Sequence, residues 1–429
     1  MEIVDHTLVF HYNGEKMNVP LLTPWELYTG DLVPAREYVE QVDRKVDQVI
    51  NYVTFHITEK CNMACTYCFE KDKSSKTSNL GVTRGLIDLI EKHQPEVFNI
   101  RFIGGEPLTE LDFLEDSIRL IEGEVKKRGI STKIQYNLFT NATIINQRAL
   151  DLIRTYKIVV ICSMDCCQSI HDKYRVYRNG QGTFQTVVEN ILRLKQALPE
   201  QRILCRAVYT DDISLIEIVD ELERLDFDEI SVGIPFLPDD SELALTREKT
   251  EQMKARILEF TQESIRRIER KDFSWMRIVP ITRMISFLGR QKNILSNRAC
   301  LAGCSQFAIS PDGELYPCHM FVGYDQFKLG NLNEGVTNLD LQTAFLNYST
   351  ENAPACQSCP IQYLCIGNCM GEALLYRGNI NQPNPYKCEI QKEYVKSAFY
   401  LYSHIKQNPL AARYIRYYSK QSQKLFGYV

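Results

Sequence analysis

Cys61-Asn-Met-Ala-Cys65-Thr-Tyr-Cys68 sets three thiols at CxxxCxxC spacing directly after the apolar run 52–58. Three thiolates so close in sequence can ligate three irons of a [4Fe–4S] cube and leave the fourth iron open to a ligand that is not protein. A structural zinc ion asks for four protein ligands, usually as CxxC pairs. A redox pair needs only CxxC. The triplet therefore points to iron–sulfur chemistry, with zinc and plain buried thiols as the alternatives.

Working outward, strand-like runs at 52–58, 98–103, 133–139, 157–164, 203–209 and 229–234 alternate with helical patterns at 84–93, 113–127, 147–155, 184–197 and 213–225. This βα rhythm predicts an α/β fold with a parallel sheet. Six units are too few for a closed eight-stranded barrel and suit a partial (β/α)6 barrel of TIM type. Its chemistry belongs on the loops at the strand C-termini, and the triplet lies on the first of them. Before the barrel, 7–19 reads as a hairpin turning at Asn13-Gly14, and an amphipathic helix is expected from Pro34 to about Val49. A polar helix from Arg247 to about Arg270 closes the unit, and a linker through Pro280 leads to a cysteine-rich region. The last stretch, 389–429, reads as helix.

Composition narrows the function classes. The chain has 429 residues, 44% hydrophobic and 24% charged, with a net charge of −4. That balance fits a globular protein and argues against a dedicated nucleic-acid binder. No apolar run reaches the roughly 20 residues needed to span a bilayer. The first residues lack the basic-then-apolar pattern of an export signal, so a cytoplasmic location and no membrane partner are expected. In a reducing compartment, 15 cysteines are better read as metal ligands or catalytic groups than as disulfides. All but Cys162, Cys166, Cys167 and Cys205 fall into clusters.

The later elements join the triplet in one pattern. Gly104-Gly105-Glu106-Pro107 follows the second strand, Thr140-Asn141-Ala142-Thr143 the third, and Ser163-Met-Asp165-Cys166-Cys167 with His171-Asp-Lys-Tyr-Arg175 the fourth. Together they resemble the radical SAM (S-adenosylmethionine) superfamily. The resemblance implies that the GGEP-like turn holds the amino group of the methionine and that Ser163 and Arg175 meet the ribose and carboxylate. An arginine's planar fork suits a carboxylate. It also implies that Tyr67 and Ile234 lie beside the adenine, and it places Asn141 at the cofactor. Ala142 stands where the family usually has glycine, and Cys166-Cys167 replace Gly-Pro. Cys166 reads as a small buried thiol or as a functional group at a strand end, and Asp165 as a base or a turn cap.

Further on come Cys300, Cys304 and Cys318, then Cys356, Cys359, Cys365, Cys369 and Cys388. Eight thiolates complete two [4Fe–4S] cubes or two four-thiolate zinc sites. The pattern resembles the SPASM domain of peptide-modifying radical SAM enzymes. That resemblance assigns Cys300, Cys304, Cys318 and Cys369 to one auxiliary cluster and Cys356, Cys359, Cys365 and Cys388 to the other. The organisation is then 1–50 N-terminal hairpin and helix, 51–280 radical SAM partial barrel, 281–392 SPASM domain and 393–429 helical tail.

The implied activity is that of an oxidoreductase. It would form a 5′-deoxyadenosyl radical with three [4Fe–4S] clusters and SAM and oxidatively crosslink a ribosomal precursor peptide (a RiPP) through a thioether or carbon–carbon bond. A flavodoxin or ferredoxin would supply electrons. Sulfatase-type maturases, which make formylglycine, carry aspartate directly after the cysteine of the G-x4-C element; here His319 follows Cys318, which counts against that branch. His319 is a proton acceptor or a donor to a cluster sulfur. A zinc-rich scaffold is the rival of another class. The tail beyond Glu393 is basic, with Lys396, Lys406, Arg413, Arg416, Lys420 and Lys424 among tyrosines. It reads as an amphipathic helix packed on the core or as an attractor for an acidic leader.

Overall fold

The computed structural model describes residues 2–4, 7–20, 49–70, 74–210, 213–279, 281–282, 285, 300–362, 364–365 and 369–426. The helix expected from Pro34 lies outside the described residues except for its last position, and so does Pro280 of the linker.

The six expected strands form, in chain order, as β4 (Tyr52–Thr58), β5 (Val97–Gly104), β6 (Lys133–Thr140), β7 (Val159–Ser163), β8 (Ile203–Val208) and β9 (Glu229–Gly233). Each pairs in parallel with the next. Side chains alternate across a strand. Phe55 thus packs outward on Phe102 and on Phe113 of the helix Leu111–Lys127, at 6.3 and 6.4 Å between ring centres. The neighbouring Arg101 and Ile103 line the interior cavity. Burying both faces fixes register, because a one-residue slip would turn the phenylalanines into that cavity.

The helices start where side chains cap them. Asn79 accepts from Gly81 N and opens Leu80–His93. Ser214 and Glu217 form a reciprocal capping box that opens Leu215–Glu223. The first helix begins earlier than its periodicity suggests, because Gly81 and Gly85 dilute the apolar pattern of its opening turns.

Five strands extend the sheet beyond the expected six. β10 (Ile278–Val279) pairs with β9. At the other edge, β11 (Gln306–Ile309) pairs in parallel with β4, Gln306 opposite Tyr52 and Ile309 opposite Phe55. β12 (Glu314–Tyr316), β13 (Gly330–Asn331) and β14 (Gly335–Val336) continue antiparallel, completing an 11-stranded sheet. The cysteine-rich domain is thus stitched onto the first barrel strand. That pairing brings Cys318 and His319 toward the triplet.

The N-terminal hairpin gains a third strand. β1 (Glu2–Val4), β2 (Thr7–Tyr12) and β3 (Glu15–Pro20) form an antiparallel sheet, with Asn13 and Gly14 at φ 50 and 78 in the turn. Tyr12 packs on Tyr400 at 5.6 Å between ring centres and bonds Thr261 Oγ1 at 3.1 Å. The hairpin is thereby anchored on the helices Pro385–Gln407 and Arg247–Glu269.

The tail departs from the single helix expected over 389–429. It forms two helices, Pro385–Gln407 and Pro409–Phe426. Pro409 disfavours helical geometry at the preceding residue, and Asn408 is extended at φ −116, ψ 105. The Asn408 carboxamide oxygen then accepts from Leu410 N and Ala411 N, each at 3.1 Å, and starts the next helix. No helix among the described residues is long and apolar enough to cross a membrane.

Candidate active site

The triplet loop leaves β4 and is pinned by three neighbouring loops. Ala64 N donates to Val176 O at 2.8 Å and Thr66 N to Tyr174 O at 3.0 Å. Asn62 Nδ2 donates to Thr143 Oγ1 at 2.8 Å, and Asn141 Nδ2 to Asn62 Oδ1 at 2.9 Å. Arg178 Nε donates to the Cys61 carbonyl at 2.7 Å. Cys61, Cys65 and Cys68 all stand partly exposed on one cavity of about 440 Å³.

The same cavity is lined by Tyr67, Gly104, Gly105, Asn141, Ser163, Arg175, Ile234 and His319. Of the expected site residues outside the C-terminal cysteines, only Glu106 and Asp165 are absent from its walls. Both are internal struts. Glu106 is fully buried, and its carboxylate accepts from Thr140 Oγ1 at 2.8 Å, Asn141 N at 2.6 Å and Leu108 N at 3.0 Å. Burial pushes its pKa up to about 7 against the pull of those donors. It ties the β5 loop to the β6 terminus.

Gly104 and Gly105 have a reason the sequence reading did not supply. A Cβ on Gly104, at φ 135, would stand 2.0 Å from Thr58 O, and one on Gly105 would stand 2.1 Å from Lys60 O. Gly105 N and Glu106 N donate to those two carbonyls at 2.9 and 2.7 Å. The glycines let the β5 loop lie against the backbone of the triplet loop, as well as bordering the cavity.

Asp165 is 1% exposed. It accepts from Arg175 Nε at 3.0 Å, from Val208 N at 2.8 Å and from the Tyr67 hydroxyl. Its own N–H donates to His171 Nδ1 at 3.2 Å, and His171 Nε2 meets Thr183 Oγ1 at 3.0 Å. Asp165 thus holds Arg175 and Tyr67 rather than facing the cavity as a base. Cys166 is buried with its pKa raised, mainly by desolvation. That is the small-thiol reading.

His319 enters the cavity from the C-terminal domain, edge-on to Phe69 at 5.2 Å between ring centres. Burial, then the positive charge of Arg101, lowers its pKa to about 3, so it is neutral. The sequence reading missed the inward wall: Arg101, Phe139, Leu204, Arg206 and Glu229. Its signal is a charged residue inside an otherwise apolar strand, as in Val-Phe-Asn-Ile-Arg101-Phe-Ile-Gly.

The later cysteines fall into two neighbourhoods. Burial first, and then Cys369 and Cys300, raise the pKa of Cys318; burial first, and then Cys388 and Cys359, raise that of Cys356. A Cβ on Gly371 would meet Cys318 Sγ at 3.3 Å and Cys369 Sγ at 3.6 Å, so both thiols border one point. Tyr348, its pKa raised first by burial, also feels Cys356, Cys365 and Cys388 of the second group and Cys369 of the first, so the two groups adjoin. This grouping agrees with the division expected by resemblance, except that Cys304 is buried with its Sγ 3.8 Å from the Phe345 carbonyl. Soft thiolates grouped in this way suit an iron–sulfur cluster and a zinc ion alike.

Comparison with known proteins bears on this geometry. Residues 55–206 match the radical SAM superfamily, and 300–360 match SPASM, an iron–sulfur cluster-binding domain. A cysteine-type anaerobic sulfatase-maturating enzyme of Clostridium novyi is 26% identical over 329 residues, 73% of this chain and 85% of the relative. The radical SAM cyclopropyl synthase TigE of Paramaledivibacter caminithermalis is 22% identical, covering 83% and 76%. Among solved structures, anSMEcpe with bound AdoMet superposes at TM-score 0.69 with 20% identity, over 83% of this chain and 99% of that one. Streptococcus suis SuiB bound to precursor peptide SuiA superposes at 0.56 with 16% identity, over 88% and 83%. At such identities the superpositions establish the shared fold.

Proposed function

Since the chain belongs to the radical SAM superfamily and carries a SPASM iron–sulfur domain behind its barrel, we propose that it is a maturase that oxidatively crosslinks a ribosomal precursor peptide. One observation carries this reading: a single cavity receives the three thiols of the barrel and His319 of the C-terminal domain. On this reading cofactor and substrate would share one enclosure.

The bound cluster and SAM supply a carbon radical able to remove a hydrogen atom from the substrate. The chain's own residues do the positioning. Cys61, Cys65 and Cys68 would hold the cluster, three thiolates for four irons. Gly104, Gly105, Asn141, Ser163, Tyr67, Arg175 and Ile234 shape the cofactor's bed, with Glu106 and Asp165 bracing it from behind. Of the two expected proton acceptors, His319 alone faces the cavity, where the neutral ring can hydrogen-bond the group that loses a proton when the new bond forms. The later cysteines would hold auxiliary iron–sulfur clusters, which when bound would supply an electron acceptor, and a flavodoxin or ferredoxin would be the reductant.

Formylglycine formation is the second reading, favoured by the similarity to sulfatase-maturating enzymes. His319 in place of the aspartate of that branch weighs against it. Anaerobic reconstitution with SAM, reductant and a precursor peptide separates the two. Crosslinking gives a product lighter by a pair of hydrogen atoms, with a ring that blocks fragmentation between the joined residues. A linear product bearing an aldehyde, trapped by a hydrazine, would replace our reading with the second.

A further inference from the structure

The cavity wall contains a cation that the cofactor-binding elements do not use. Arg101 projects inward from β5, one inward position below Ile103, a step of about 7 Å along the strand. It therefore sits deeper than the Gly104-Gly105 turn. Its guanidinium carbon lies 4.8 Å from the Tyr52 ring centre and 4.7 Å from that of Phe139. Its Nε is buried without a hydrogen-bond partner.

Arg101 as a whole is partly exposed, and the buried arginines are served differently. Arg175 pairs with Asp165, and Arg267 with Asp220 and Glu263. No carboxylate among the described residues pairs with Arg101, although Glu70 and Glu229 also line the cavity. A buried donor without a partner is costly, and natural folds seldom keep one without a use. Across the cavity Arg206, bonded to Ser231 Oγ at 2.6 Å, adds a second positive group. The intervening surface of Phe139, Ile161 and Leu204 is apolar, so an anion reaching Arg101 meets it away from bulk water.

We infer that Arg101 forms a carboxylate-binding subsite that anchors the substrate peptide by an acidic group. The aromatic contacts hold the guanidinium plane, and its terminal N–H groups, which unlike Nε are not shut off from the cavity, remain for the two-pronged hydrogen bonding that carboxylates accept best. An aspartate or glutamate side chain is the group assigned here. A peptide C-terminus carries the same chemistry and must be distinguished by experiment. The inference rests on the reading that the substrate is a peptide, and it adds which kind of residue that peptide carries at the reacting segment.

The test measures binding, so it does not depend on turnover. Fluorescent peptide pools of random sequence carry a fixed central Asp, Glu, Asn, Gln, Leu or Lys, each made with a free or an amidated C-terminus. They are titrated anaerobically into the SAM-loaded holoenzyme. We expect the amidated Asp or Glu pools to bind at least about tenfold more tightly than their amide isosteres. Arg101→Gln should erase that preference, whereas Arg101→Lys, which keeps the charge but loses the fork, should retain part of it. Iron content and SAM affinity of both variants should match the parent. Equal binding of acid and amide pools by the parent enzyme overturns the inference, and this comparison needs no variant to fold. So does a preference that survives in Arg101→Gln, or one that depends on a free C-terminus. If acidic pools bind through Arg101 and emerge unmodified, the crosslinking reading fails while the subsite stands. If pools are crosslinked with no acidic preference, the reading stands and the subsite falls.

Discussion

The loops around Cys61–Cys68 and those around Cys300–Cys388 both present thiols, but they are held by different means. The first group sits at the ends of long buried strands, with carbonyls, amides and carboxylates joining the β4, β5, β6 and β7 loops. Much of the second hangs on strands of two to four residues and short turns, such as His319–Phe321 and Pro354–Gln357, although Cys369 caps the helix Met370–Arg377 and Cys388 lies in the helix Pro385–Gln407. There the thiols pack largely on sulfur: Cys369 lies 3.6 Å from Met320 Sδ, and Cys318 and Cys369 border the same glycine. A site braced by its own backbone keeps its shape whether or not it is occupied. A site braced through what it binds has metal affinity and folding in common.

The contrast is broken most sharply by replacing Cys61, Cys65 and Cys68 with alanine. Deoxyadenosine production should fall to background, while the eight later cysteines still retain iron and the melting transition stays in place. Residual SAM cleavage, read by chromatography, would mean that the triplet does not hold the reactive cluster.

Iron removal probes the other half. Anaerobic chelation followed by hydrogen exchange should show protection lost across 300–380 and kept in β5–β8. Uniform loss in both regions would show that the barrel, too, is organised by metal.

Within the barrel, Asp165→Asn leaves Arg175 buried without its counter-charge and should cost about 3–5 kcal/mol. Denaturant titration of the parent and the variant measures it. A cost below about 1 kcal/mol would mean that the pair is open to solvent.

Glu106 gives a smaller, pH-dependent effect. Because burial raises its folded pKa to about 7, from 4.5, the folded chain binds the extra proton in that interval. Its contribution to stability is therefore fullest below about pH 4.5, declines as pH rises toward 7 and changes no further above it. The span amounts to about 3 kcal/mol. Glu106→Gln should flatten that part of the stability–pH curve. An unchanged slope in the variant would assign the pH dependence to other groups.

Much of the barrel was legible because its strands repeat one physical pattern, apolar runs buried on both faces and followed by amphipathic helices. The cavity rim was legible as motif: Gly104, Gly105, Asn141, Ser163 and Arg175 all reach the cavity. What each does was less so. Glu106 and Asp165 stand within cofactor-like motifs, yet they turn away to satisfy neighbouring backbone, and residue type does not reveal direction. The pairing of β11 with β4 joins segments far apart in the chain, and no local periodicity encodes such a contact. Asn408-Pro409, by contrast, did carry its stop signal, and the basic pattern of the tail masked it.

The union of β4 with β11 also has a consequence for biosynthesis. The outer edge of β4 has to wait until more than half the chain has been made before its partner emerges from the ribosome. During that interval an apolar, fully extended edge is on offer to other nascent chains. Late closure of this seam is therefore the step at which translation speed and chaperone supply would govern how much of the protein survives its own synthesis.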